Sequence, residues 1–157
     1  MQKFIQNLEE AEKITKTVDH MAYMTYPLIK DKKLLLKILT ETKNAIAKTI
    51  NAILQYEYLY KRISLSPSPK INFENFQTKC ATRYQITQEE IKTILEIFEL
   101  VEKHNKSTME FVREEKIVIM NNSDQPITFT IEKAKEFIAL IKNILKKTRM
   151  TMNPEEV

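Results

Sequence analysis

Glycine is absent from this chain of 157 residues, against a usual share of about 7%. Without it, no backbone can come close to a phosphate in the way a P-loop or a dinucleotide-binding turn requires, so both motifs are excluded. A left-handed backbone position must fall to Asn or Asp, or be avoided, which favours helices over tightly turned β architectures. Tryptophan is also absent, cysteine occurs once and histidine twice. Cys80 cannot close an intramolecular disulfide, and no Cys or His spacing suits a zinc site. No Glu-x-x-His pair is present to build a di-metal carboxylate centre in a bundle. The reading is therefore of a chain without cofactor or metal, suited to a reducing cytoplasm.

Long hydrophobic runs are missing as well. None approaches the roughly 18 residues needed to cross a bilayer, and "MQKFIQNLEEAEK" turns charged too soon for a signal peptide. With 43% hydrophobic and 29% charged residues the composition is that of a folded chain. Its length fits one domain, expected over 1–150, with 151–157 as a flexible C-terminal tail.

The expected fold is mainly α, a single-domain antiparallel helical bundle with one long helix and a small β-hairpin before the last helix. In 1–25, Phe4, Leu8, Ala11, Thr15, Val18 and Ala22 recur at helical spacing. Pro27 then predicts a break between Met24 and Leu28. The second segment, to about Ile63, carries the strongest period, through Leu35, Leu39, Thr42, Ile46, Thr49, Ile53, Tyr56 and Tyr60. About 35 residues make a rod of roughly 50 Å. Such a stripe needs other helices or another chain to cover it, and Leu39, Ile46 and Ile53 are its candidate association residues.

"SLSPSPK" stops that helix. Asn72 is read as the cap of a short helix burying Phe73, Phe76 and Cys80. Thr87 and Glu90 form a capping box for a helix running to about Lys103, with Ile91, Ile94, Leu95, Phe98 and Val101 inward. Ser107 and Glu110 predict a further short helix toward Lys116. "KIVIMNNSDQPITFT" predicts a hairpin of Ile117–Met120 against Ile127–Thr130, with one irregular Asn-rich loop as the alternative. Thr130 is expected to cap the last helix, and "RMTMNPEEV" to fray.

Net charge is +4, unevenly spread. Pro27 to Arg62 holds eight cations and three acids, a surplus larger than that of the whole chain. Lys30, Lys33, Lys37, Lys48, Lys61 and Arg62 form a candidate polyanion face, with Tyr58 as a stacking surface. Lysines also solvate a long helix without any ligand. The architecture resembles the helical ribonuclease domains of prokaryotic toxin systems. Those carry Arg and, four to six residues on, His; here Arg62 and Arg83 have no such His and His104 precedes Arg113, so the activity does not carry over. The functional expectation is a non-enzymatic interaction module, a homo-oligomer or a partner-binder through the long helix. RNA binding by its basic face is the rival.

Overall fold

The structure, a computed structural model, describes residues 2–121 and 125–152. It is mainly helical: α1 (Lys3–His20), α2 (Tyr26–Ile29), α3 (Lys32–Leu59), α4 (Pro69–Asn75), α5 (Gln88–Asn105) and α6 (Ile131–Thr151), with strands β1 (Met109–Arg113), β2 (Lys116–Met120) and β3 (Ile127–Phe129) before α6. Residues 153–157, most of the expected tail, lie outside the described residues. Residues 149–151 are helical rather than frayed, and Met152 is buried.

The first chain break lies later than Pro27 predicts. A π-helical turn, Met21–Thr25, continues α1 and leads into α2. Proline's ring would crowd the carbonyl four residues back in an α-helix; here the Tyr26 N–H bonds to Met21 O, five residues back, and Pro27 fits the first turn of α2. The reversal comes at Lys30, whose φ of 50° and ψ of 41° are left-handed. Asp31 then caps α3 by accepting from the Lys33 N–H at 3.0 Å. The long helix is thus 28 residues, about 42 Å, and not 35.

Among the described residues, left-handed positions fall on neither Asn nor Asp. Lys30, Lys61, Gln85, Glu114 and Glu115 all have positive φ. Glu114 and Glu115 form the whole connection between β1 and β2, whose register pairs Arg113 with Lys116. A two-residue hairpin turn of type I′ demands positive φ at both central positions whatever residues occupy them.

Local chemistry sets most other boundaries. Ser68, not Asn72, caps α4, with Pro69 in the first turn. Asn72 instead clasps Ser66, donating to its carbonyl and accepting from its N–H, each at 2.8 Å. Phe76 and Cys80 are buried in the π-helical turn that follows. Thr87 and Glu90 exchange both capping-box bonds, at 2.9 and 3.1 Å, and the Thr130 hydroxyl accepts from the Lys133 N–H at 3.1 Å. The helix expected after Ser107 is a strand: β1 pairs antiparallel with β2, and β2 with β3, in the order β1-β2-β3. The Glu110 carboxylate contacts His104 Nδ1 in place of a helix cap. The hairpin of β2 and β3 forms as expected and directs Ile117, Ile119 and Phe129 into the core.

α1 runs antiparallel to α3 and to α6, and α5 antiparallel to α6. Asn7 bonds Gln55 and Glu10 pairs with Lys48, linking α1 to α3. Glu12 meets Arg149 and Asp19 meets Lys142, linking α1 to α6; Glu90 meets Lys147 and Glu96 meets Lys133, linking α5 to α6.

Candidate functional site: the groove beside the long helix

The stripe on α3 is spent inside the molecule. Leu39, Ile46 and Ile53 are each at 0% exposure, because α1, α5 and α6 all pack against α3 and together cover its apolar arc. These three are core residues and offer no association surface.

The candidate polyanion residues do not form one face. Lys30 lies before the break and pairs with Glu115 at 3.2 Å. Lys48 pairs with Glu10 of α1, and Arg62 with Glu57 at 3.0 Å. Lys33, Lys37 and Lys61 are exposed and make no ion pair among the described residues. Tyr58 is 54% exposed. Half of the cations are therefore already matched, and those at the two ends of α3 are about 40 Å apart.

Near the end of α3 lies a cluster that the sequence reading missed. Glu57 is 1% exposed, yet it is held by Arg62, by Arg83 Nε at 3.4 Å and by the Tyr84 hydroxyl, which donates at 3.2 Å. Burial, with Glu57 beside it, raises the Tyr84 phenol well above its ordinary value. Burial likewise pushes the Cys80 thiol up to about 11, which keeps it protonated and unreactive at neutral pH. Arg62 also lies over the Tyr60 ring, 5.1 Å from its centre. This network acts as a lock between α3 and the 76–86 segment. Its signal was present: Ile46, Ile50, Ile53 and Glu57 continue one face at helical spacing, so the acid stands where an apolar residue is due.

A broad apolar opening on the long helix is a groove of about 880 Å³ between α3 and α5, floored by α4. Ala47, Ile50 and Leu54 line one wall, Leu95 and Phe98 the other, and Phe73 the floor. Phe73 meets Phe98 edge-on with ring centres 5.9 Å apart, and this contact holds the floor in place. The groove stays open because α4 has only seven residues and because Ala47 and Asn51 project little into it. Leu95, expected inward, is 45% exposed at its rim; Ile97 and Leu100 take the core positions of α5 instead.

Among the described residues no group of three or more His, Cys, Asp or Glu is gathered as a metal ion would need, and no helix is long and apolar enough to cross a membrane. No protein-family model, curated protein or solved structure matches the chain.

Proposed function

We propose that the protein is a non-enzymatic interaction module whose long helix α3, together with α4 and α5, receives an amphipathic helix of a partner protein. The observation that carries this reading is the apolar groove, with Leu95 exposed at its rim. Its walls run from Ala47 to Leu54 and from Leu95 to Glu102, each a span of seven helical steps. That is about 10 Å of helix, the spacing between side chains at i and i+7 of a docked helix.

The test is an NMR titration with a synthetic helical peptide bearing leucines at i, i+3 or i+4, and i+7. Shifts should concentrate on Ala47, Leu54, Leu95 and Phe98 and disappear in Ala47→Arg, which fills the groove from one wall. Absence of shifts at millimolar peptide, or shifts centred elsewhere, refutes the reading. Sedimentation of the protein alone separates docking from self-association: a dimer dispersed by Leu95→Glu would make a second copy the occupant.

A second reading rests on Lys33, Lys37 and Lys61, exposed and without an ion pair among the described residues, with Tyr58 near Lys61. Fluorescent single-stranded RNA, titrated at low and moderate salt, should lose affinity steeply with salt if those residues bind it. Lys33→Glu with Lys37→Glu and Lys61→Glu should then abolish binding. No affinity below millimolar at low salt rules it out.

A further inference from the structure

We infer that the segment docking in the α3–α5 groove is acidic along its polar edge, an inference that rests on the docking reading above. The lining itself supplies one cation and one acid, Lys70 and Glu102. They are not equivalent. Glu102 is already engaged by Lys106 at 2.7 Å, whereas Lys70 is exposed and has no ion pair among the described residues. Lys43 stands one turn before Ala47 on the same side of α3 and is likewise unmatched.

On the opposite wall each acid near the groove has its own partner, since Glu99 pairs with Lys103 at 3.2 Å just as Glu102 does with Lys106. The α4 acid, Glu74, lies outside the lining as Lys43 does, and has no ion pair among the described residues. Among the described residues, the cations beside the groove that have no ion pair, Lys43 on α3, Lys70 on α4 and Lys92 on α5, therefore outnumber the one such acid, Glu74 on α4. Carboxylates beside Lys43 and Lys70 would complete pairs the protein leaves open, and lysines there would meet like charge.

Two fluorescein-labelled helical peptides with the same leucine face test this, one with glutamates and one with lysines at the polar positions. In 50 mM salt the glutamate peptide should bind about three- to tenfold more tightly, the scale of two partly exposed ion pairs, and the preference should shrink at 0.5 M salt. Lys43→Gln with Lys70→Gln should erase the preference. Both side chains reach solvent, so circular dichroism should show an unchanged fold.

Equal binding of the two peptides, with NMR shifts still centred on the groove, overturns the acidic preference and leaves the docking reading standing. A preference that survives the double variant overturns it too, by placing the selecting charge elsewhere. Failure of both peptides to bind overturns the docking reading and this inference with it. Should the double variant lower RNA affinity and leave peptide affinity unchanged, Lys43 and Lys70 serve a nucleic acid and the inference falls.

Discussion

Replacing Glu57 by glutamine keeps the shape of the side chain and removes its charge. In the native protein the carboxylate is 1% exposed and takes Arg62 at 3.0 Å, Arg83 at 3.4 Å and the Tyr84 hydroxyl at 3.2 Å. A hydrogen bond to a charged group contributes about 1.5–3 kcal/mol, so two dry arginines would sum to about 3–6 kcal/mol. Their side chains are 37% and 39% exposed, however, and water recovers much of that interaction once the carboxylate is gone. Glutamine also removes the cost of burying a charge. The net loss should be about 1–3 kcal/mol, a fall in Tm of roughly 2–12 °C for a chain of this size. Thermal and urea unfolding at pH 7, followed by circular dichroism, measure it. Tyr84→Phe removes only one bond and should cost less, about 1–2 kcal/mol. A Glu57→Gln protein as stable as the native one would refute the reasoning, because burial would then cost as much as the partners return.

The remaining expectations concern backbone, pH and core. Glu114→Asn with Glu115→Gly gives the β1–β2 turn residues that tolerate positive φ, and should raise stability by about 1 kcal/mol in urea unfolding; a loss would mean that the acids make contacts worth more than the strain. For Glu90, burial raises the carboxyl, but bonds from Lys147, the Thr87 N–H and Asn143 outweigh it and hold the group below its ordinary 4.5. Its contribution is thus full above that value and lost as pH falls through the lower folded value: Glu90→Gln should be less stable than native at pH 7, with the gap closing under acid. Ile46→Glu puts a carboxylate at a position of 0% exposure, at a cost of several kcal/mol against a total margin of about 5–15, and should unfold the protein. Ala47→Arg, one residue on, reaches solvent through the groove and should leave Tm nearly unchanged; a folded Ile46→Glu protein would place Ile46 at an interface after all.

Elements fixed by neighbours in sequence were legible. Thr87 and Glu90, Thr130, and the alternation from Ile117 to Thr130 each carry their own signal within a few residues. Misreadings arose where a distant partner outbid a local rule. Ser107 and Glu110 have capping-box spacing, but His104 takes the Glu110 carboxylate, and β2 offers Phe111 and Val112 a strand to pair with. Pro27 is a helix breaker by local rule, yet one π turn accommodates it. The α3 stripe was real, but periodicity cannot count how many helices share it, so residues read as an association surface proved to be core. The groove is the complement of that error: it depends on the shortness of α4 and on which of the α5 apolar residues is left over, and neither is written in spacing.

The connection between α3 and α4 joins the buried lock to the groove. Lys61 reverses the chain with φ of 60°, and the Arg62 N–H returns to Glu57 O at 2.9 Å while its guanidinium holds the Glu57 carboxylate, so the start of the connection is pinned by backbone and side chain together. Its far end is pinned by Asn72 on Ser66, with Asn75 reaching Ser64 O at 3.4 Å. Within the second anchorage, between Ser66 and Asn72, the stiff backbone of Pro67 and Pro69 limits how far α4 can swing. Because Phe73 rides on α4, the position of the groove floor follows from a carboxylate buried outside the groove. Loosening Glu57 should therefore weaken peptide docking even at temperatures where the Glu57→Gln protein remains folded, whereas a destabilising change remote from this connection, such as Glu90→Gln, should lower Tm and leave docking intact.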